Sequence, residues 1–186
     1  MLNILVGAFF LGFAATSFGS PPTLDNERVA VWDARGAMPR AVNDFIAVPL
    51  SRKGTAYFGH KGDAPGKAGA RTVVIELKDH STAPIPNNSG YPLAFPRPSA
   101  KKLFENDKVI VWDYTWRPHE PTPMHFHNKD AVVVFEATGA LQSTTPDGKS
   151  VVSENQFGDI RFNRGNRTHT ELLLRGNARA VIVELK

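Results

Sequence analysis

Two histidines separated by a single residue form the part of the chain best suited to chemistry. His125 and His127 precede an apolar run, residues 131–135, that is typical of a β-strand. Side chains at positions i and i+2 of a strand point to the same face, so both imidazoles should project together, about 7 Å apart along the strand. Imidazoles held in this way are natural ligands for a divalent transition-metal ion. The pair therefore predicts a metal site.

A third histidine, His169, follows a turn at Gly165 and begins a short apolar strand. It is the best candidate for a third ligand, because a pair from one strand needs a ligand from another strand. Glu171 lies two residues beyond His169, and a regular strand would direct both side chains to the same interior. A carboxylate there could bind the metal, orient a histidine or transfer a proton. We rank the last two roles slightly ahead of the first.

The strands that must position these residues belong to a unit that occurs twice. Residues 26–33 match residues 106–113, and residues 70–78 match residues 178–186. The copies are 80 residues apart at the first match (26 to 106) and 108 apart at the second (70 to 178), so the first copy is 28 residues shorter between its ends. Agreement at both ends in the same order indicates duplication, followed by shrinkage of the first copy.

Both matched segments are rich in Val and Ile, which favours strands. No ten-residue stretch keeps the apolar period of a helix. Residues 80–104 are rich in Pro, Asn and Ser and predict a linker that crosses the surface in extended form. Turn signals recur through the second copy, at Thr138-Gly139, Pro146-Asp147-Gly148, Phe157-Gly158, Arg164-Gly165 and Arg175-Gly176. These patterns predict an all-β sandwich or barrel.

Two motifs of the second copy resemble those of the cupin superfamily. Residues 123–127 read Pro-x-His-x-His and are followed by a hydrophobic strand and Gly139, and Gly158 later leads to a tight turn and His169. The resemblance covers about residues 105–186, and the first copy resembles a degenerate cupin half, as in a bicupin. The resemblance implies a double-stranded β-helix, a jelly-roll barrel, with the shortened first repeat packed on a complete second one.

Carried over residue by residue, the resemblance makes His125 and His127 the ligands of the first motif and His169 the ligand of the second. It implies a divalent metal ion, Fe, Mn or Zn, inside the barrel. The Glu that usually completes the set falls at Ala131 or Val132, neither of which binds metal. The nearest carboxylate, Asp130, is one residue away and could reach the site through a β-bulge. The fourth ligand is therefore Asp130, Glu171 or water.

The N-terminal segment predicts export. Residues 1–20 carry no charged side chain, hold an apolar run over residues 2–15, and offer Ser17 and Gly19 for cleavage after Gly19. The run is shorter than the roughly 20 residues of a spanning helix, so a signal peptide is favoured over a membrane anchor. The mature protein is then periplasmic or secreted, with no membrane segment. The predicted organisation is a signal peptide (1–20), an N-terminal cupin-like repeat (21–79), a linker (80–104) and a cupin barrel with the metal site (105–186).

Composition argues against a nucleic-acid partner. The formal net charge is +4, but Lys and Arg are scattered and do not alternate with aromatic residues along a face. The first functional hypothesis is a metal-dependent enzyme, an oxygenase or a related isomerase or lyase, that acts on a small molecule with Glu171 moving a proton. The alternative is a non-catalytic protein that binds a small ligand or holds a structural metal. Pairing through strand edges or sheet faces would allow a homodimer.

Overall fold

The computed structural model describes residues 21–35, 40–65 and 70–186, so the predicted signal peptide lies outside the described residues. Within these ranges every regular element is a β-strand, which confirms the all-β prediction, and no helix there is long and apolar enough to cross a membrane. In chain order the strands are β1 (Leu24–Asp25), β2 (Val29–Arg35), β3 (Phe45–Pro49), β4 (Tyr57–Gly59), β5 (Arg71–Leu77), β6 (Ala100–Glu105), β7 (Val109–Thr115), β8 (His125–His127), β9 (Ala131–Thr144), β10 (Ser150–Asn155), β11 (Ile160–Asn163) and β12 (Arg167–Leu185).

The strands form two antiparallel sheets. The first copy supplies the smaller sheet, in the order β1-β2-β5-β3-β4, and the second copy supplies the larger one, in the order β10-β9-β12-β7-β6. β12 is 19 residues long, and its register with β9 shifts at three points, after Leu173, after Gly176 and after Arg179. Its first part pairs with β8 and its last part with β7. The larger sheet thereby folds over into the jelly-roll barrel of a double-stranded β-helix.

The two copies build the same strand pair in the same register. Trp32 of β2 lies opposite Val74 of β5. At the corresponding positions of the second copy, Trp112 of β7 lies opposite Ile182 of β12. An Arg–Asp ion pair also recurs at 2.7 Å, between Arg71 and Asp33 in the first copy and between Arg179 and Asp113 in the second. The sequence match therefore corresponds to a repeated structural unit.

The two sheets pack against each other through these repeated strands. Apolar side chains from both copies alternate along their strands and meet in one buried core, formed by Val29, Val31, Ile46, Val48, Leu50, Val73, Ile75, Leu77, Val109, Val111, Val132, Val134, Val181, Val183 and Leu185. The smaller sheet covers the outer face of the barrel, as predicted for a first repeat packed on the second. The opposite face of the larger sheet is left to line the barrel interior.

Aromatic side chains fill much of that interior. Phe95 stacks on Trp112 with ring centroids 5.0 Å apart, and Tyr114 meets Trp116 edge to face at 4.8 Å. These rings belong to a second apolar cluster that also contains buried residues of β9 and β12. Large aromatic surfaces packed in this way stabilise the barrel and give its cavity rigid walls.

The linker departs from the prediction in two respects, the first of which is that its last residues, 100–104, belong to strand β6. It is extended, but it does not stay on the surface, because Ala94 and Phe95 are buried. The backbone here joins the free edge of β8: Ala94 N donates to Phe126 O at 2.9 Å, and Phe126 N donates to Pro92 O at 2.8 Å. The apolar side chains of Ala94 and Phe95 explain the insertion, since burying them outweighs keeping the segment in solvent, whereas Leu93 before them stays 40% exposed.

Candidate metal centre

Strands β8 and β12 bring the three predicted histidines together. His125 lies directly opposite His169, and His127 lies opposite Arg167. Directly opposed residues of an antiparallel pair share a face, as do alternate residues of each strand. All these side chains, with Glu171 two residues further along β12, therefore point into the barrel. The strand alternation that predicted a shared face for the pair and for Glu171 agrees with the structure.

The three imidazoles form a compact and largely buried group. Each offers one ring nitrogen, and the three nitrogens lie within 4.8 Å of one another. The ring centroids are 4.9–5.0 Å apart in all three pairs. His125 is 2% exposed and His169 is 6% exposed. Among the described residues, these histidines are the one group of three or more metal-ligating side chains that could hold an ion.

A backbone carbonyl fixes the tautomer of His125. Its Nδ1 lies 2.7 Å from Pro123 O, which can only accept a hydrogen bond, so Nδ1 carries the proton and Nε2 keeps the lone pair. Such a hydrogen bond on the far ring nitrogen commonly orients metal-binding histidines. Arg97 Nη1 lies 3.0 Å from Nε2 and donates to its lone pair, so a metal ion bound there would displace this donor.

Burial keeps all three rings in the neutral form that a metal ligand requires. It lowers the pKa of His125 to about 4, helped by the nearby charge of Arg97. It also holds the pKa of His127 well below its usual value, and the neighbouring histidines add to the shift. The pKa of His169 is lowered for the same reason. At neutral pH each ring has a lone pair available for coordination.

Two further observations test whether these residues fit a metal ion. His169 Nε2 is buried, and no hydrogen-bond partner for it exists within the described part of the chain. Such an orphan is rare unless a ligand or ion satisfies it. His125 Nε2 and His127 Nε2 are 3.2 Å apart, about the separation of two nitrogens that each lie roughly 2.0–2.1 Å from one tetrahedral ion. The donor set fits a borderline divalent ion.

Glu171 lies beside the histidines, in a network that orients its carboxylate. Its Oε2 accepts a hydrogen bond from Trp116 Nε1 at 3.0 Å and lies 3.3 Å from Arg97 Nη2. Its Oε1 lies 3.8 Å from His169 Nε2. Burial acts to raise the pKa of Glu171, but the Arg97 charge, the histidines and the Trp116 hydrogen bond outweigh it, so the pKa is below its usual value. Glu171 is therefore an ionised carboxylate adjoining the site.

The structure does not bring Asp130 to the histidines. Its Oδ1 accepts a hydrogen bond from Gly165 N at 2.8 Å, and its Oδ2 lies 3.3 Å from Arg28 Nη1 and 3.5 Å from Arg164 Nη1. β9 begins at Ala131, and no bulge displaces its first residues. The carboxylate therefore ties the turn before β12 to the first repeat, and it does not belong to the group of side chains that could hold an ion.

A small cavity of about 120 Å³ opens beside the histidines. It is well below the roughly 300–1,000 Å³ of pockets for drug-sized ligands, so it suits a small molecule. The cavity is lined by Arg97, Trp116, His127, Ala131, Val133, Phe135, Leu141, Ser143, Ser153, Arg161, Asn163, Arg167, His169, Glu171 and Ile182. The remaining described histidines, His60, His80 and His119, are exposed.

Sequence reasoning missed Arg97. It comes from the linker, where no periodicity indicates a strand, and it reaches the site because Phe95 is anchored in the barrel. Its guanidinium lies 4.0 Å from the centre of the Tyr114 ring, and its side chain is 7% exposed. A lone Arg two residues after the buried Phe95 is a weak signal that becomes meaningful only with the fold known.

Comparisons with known proteins show that this chain is similar to several solved cupin structures. No protein-family model matches it, and no curated protein matches it. A cupin domain from Bordetella pertussis Tohama I is 30% identical over 49% of this chain and 97% of that domain, with a TM-score of 0.44. An RmlC-like cupin from Methanocaldococcus jannaschii is 17% identical over 49% of this chain and 85% of its own, with a TM-score of 0.40. A cupin 2 conserved barrel domain protein from Leptotrichia buccalis is 13% identical over 88% of this chain and 86% of its own, with a TM-score of 0.45.

Proposed function

We propose that this chain, which belongs to the cupins, is a metal-dependent enzyme acting on a small molecule, of oxygenase type or of isomerase or lyase type. Its membership of the cupins follows from its 30% identity to a cupin domain that it covers almost entirely. The observation that carries the proposal is a group of three neutral histidines, two of which, His127 and His169, line a small cavity that is also lined by an ionised carboxylate. A metal that only stabilised the fold would need neither the cavity nor the carboxylate.

His125, His127 and His169 would hold the ion. A divalent ion bound there supplies Lewis acidity, which polarises a carbonyl or activates water, and iron in particular supplies oxygen chemistry. Three protein ligands leave open positions for a substrate, whereas structural sites are usually closed by four.

Glu171 is the proposed acid–base group. Trp116 and Arg97 both engage Oε2, which leaves Oε1 as the oxygen that faces His169 and the cavity. A carboxylate held by one oxygen keeps the other in a fixed position, where it can accept a proton from a bound molecule and return it. The neighbouring apolar walls, including Phe135 and Ile182, limit water around this proton.

Variants of the site test the proposal. Turnover of small carbonyl and hydroxy compounds by the metal-loaded protein should disappear in His125→Ala and His169→Ala. It should fall by roughly 10²-fold or more in Glu171→Gln, with the metal content unchanged, as expected for loss of a proton-transfer group. His60→Ala is the control, because this imidazole is 76% exposed and lies in the first repeat.

Activity that persists unchanged in both histidine variants would overturn the proposal. A metal-loaded protein whose melting temperature rises with a small ligand, but which never turns it over, would indicate the binding-protein alternative instead.

We also propose that the protein functions outside the cytoplasm, in the periplasm or as a secreted protein. Support comes from the uncharged apolar segment over residues 2–15 and the small residues that follow it. N-terminal sequencing of the exported protein should find Ser20 as the first residue. An intact Met1 in the exported protein would show retention of the segment.

A further inference from the structure

The cavity beside the histidines carries an excess of positive charge. Three arginines line it, Arg97, Arg161 and Arg167, whereas Glu171 is the one carboxylate among its lining residues. Arg97 is balanced by Glu171 at 3.3 Å. Arg161 and Arg167 have no carboxylate within 4.0 Å in the described part of the chain. A divalent ion on the histidines would add to this excess.

Strand register places both uncompensated arginines on the same interior face as the histidines. Arg167 lies directly opposite His127 in the β12–β8 pair. Arg161 lies opposite Val133 in the β11–β9 pair, and Val133 also lines the cavity. Their orientation follows from the pleat of the barrel wall, so neither is a flexible surface side chain that enters the pocket by chance.

Each guanidinium donates through one nitrogen to a backbone carbonyl, which leaves its other nitrogens without an acceptor among the described residues. Arg167 Nε donates to Arg164 O at 2.7 Å, and no described group accepts a hydrogen bond from its two terminal nitrogens. Arg161 Nη2 donates to Glu154 O at 2.8 Å, and its guanidinium carbon lies 5.4 Å from the centre of the Phe135 ring. Other partly buried arginines of this protein, Arg28, Arg71 and Arg179, each have a carboxylate partner.

A partly buried guanidinium without a counter-ion carries a desolvation cost, which an anionic ligand would offset. The planar fork of Arg matches the two oxygens of a carboxylate, and such bidentate pairs are stronger than neutral hydrogen bonds. The 120 Å³ cavity restricts the anion to a few heavy atoms.

We propose that the substrate is a small carboxylic acid whose carboxylate binds Arg167, with Arg161 beside it, while a second oxygen of the same molecule faces His125, His127 and His169. This inference rests on the proposed function, because it assigns the substrate class of the same site. It also predicts that an uncharged analogue of equal size binds poorly.

Oxalate and its neutral analogue oxamide are suitable probes. Binding of each to the zinc-loaded protein is measured by calorimetry, and the zinc content of each sample is determined before and after the titration. Oxalate should bind the wild-type protein and oxamide should not. Arg167→Gln should weaken oxalate binding by roughly ten- to a hundredfold, as expected for a charge-assisted hydrogen-bond pair, and Arg161→Gln should weaken it less. Arg175→Gln, an exposed position on the same strand, should leave the affinity within about twofold, as is usual for surface substitutions.

The zinc measurement separates the two claims. A wild-type protein that holds no zinc contradicts the metal-dependent function. Normal zinc content with equal oxalate affinity in the wild-type protein and in Arg167→Gln overturns the carboxylate assignment alone, as does oxamide binding as tightly as oxalate. If Arg167→Gln fails to fold, Arg167→Lys and Arg161→Gln decide the question, because the former keeps the charge without the planar fork. Unchanged affinity in both of these variants also overturns the assignment.

Discussion

At the scale of single residues, Glu184 carries a carboxyl group that is buried in the barrel wall, outside the histidine site. Its Oε2 accepts a hydrogen bond from Trp112 Nε1 at 2.8 Å. Burial raises its pKa, and the Trp112 hydrogen bond and nearby positive charges only partly oppose the shift. The folded state therefore retains this proton at a pH at which the unfolded chain has lost it, so the protein loses stability as the pH rises above the ordinary value of 4.5.

Glu184→Gln should remove this pH-dependent loss. The amide still offers an oxygen to Trp112 but cannot ionise, so the variant should melt at a higher temperature than the wild-type protein at neutral pH. The difference should shrink as the pH falls through 4.5, because below this value the wild-type carboxyl becomes protonated in both states. Thermal unfolding followed by circular dichroism across this range, with the exposed Glu120→Gln as control, measures it. A wild-type advantage that grows with pH would contradict the assignment.

The site residues could be predicted from the sequence where their positions depend only on their own strand. Alternation along a strand predicts that His125 and His127 share a face, and it extends to His169 and Glu171. Arg97 could not be predicted in this way, because its position depends on how the linker packs. The position of Asp130 in sequence, close to the histidine pair, makes it a candidate ligand. Its actual partners, Arg28 and Gly165, come from distant segments and could not be predicted from that position.

At the scale of elements, the turn that leads into β12 is fixed by Asp130. Gly165 N donates to one carboxylate oxygen, and the buried guanidinium of Arg28 lies against the other. Arg28 also donates to Thr82 Oγ1 and to Lys186 O, so it keeps partners if the carboxylate is removed. The turn sets where β12 begins and therefore where His169 lies.

Asp130→Ala should destabilise the protein by about 2 kcal/mol, because it removes one hydrogen bond and leaves a buried guanidinium without its counter-ion. It should not change the metal stoichiometry, because Asp130 is not a ligand. Urea unfolding and metal analysis of the same samples measure the two effects, and Asp107→Ala, at an exposed position, is the control. Loss of the metal from a folded Asp130→Ala protein would contradict this prediction.

Strand elements with strong local signals were predicted well. The Pro146-Asp147-Gly148 turn joins β9 to β10 as expected, with Gly148 at a positive φ of 82° and its N–H donated to Thr145 O. The bulges that divide β12 between two partners were not predicted. These bulges allow the barrel to close, and the residue pattern within one strand does not predict them.

At the scale of the whole molecule, the two repeats share one apolar core. The side chain of Ile75 in the smaller sheet is fully buried in it with Val109, Val132 and Val183 of the larger sheet. The resemblance to a bicupin implied this packing, and the duplicated strands form it with apolar residues at matching positions. The sheet face is occupied by the internal repeat, so a homodimer, which stays a prediction, would have to form elsewhere.

Ile75→Ala should lower the free energy of unfolding of the entire protein by roughly 2–5 kcal/mol, the usual cost of a buried Ile→Ala substitution. Unfolding should remain a single transition, with release of zinc at the same midpoint. Val151→Ala is the control, because this side chain is 70% exposed at the sheet edge and its loss should change stability by less than about 0.5 kcal/mol. A barrel that retains zinc at the wild-type midpoint, while the first repeat melts separately, would show that the repeats are not one cooperative unit.

The central claim is that His125, His127 and His169 together bind one divalent metal ion. Its most direct test is the metal content of the purified protein, stripped with a chelator and reloaded with zinc, measured beside single His→Ala variants at the three positions and at His60. The account predicts one ion per wild-type chain, the same for His60→Ala, and loss of the ion at equal free zinc in each of the other three variants. A wild-type chain without metal, or three site variants that keep it, would contradict the account.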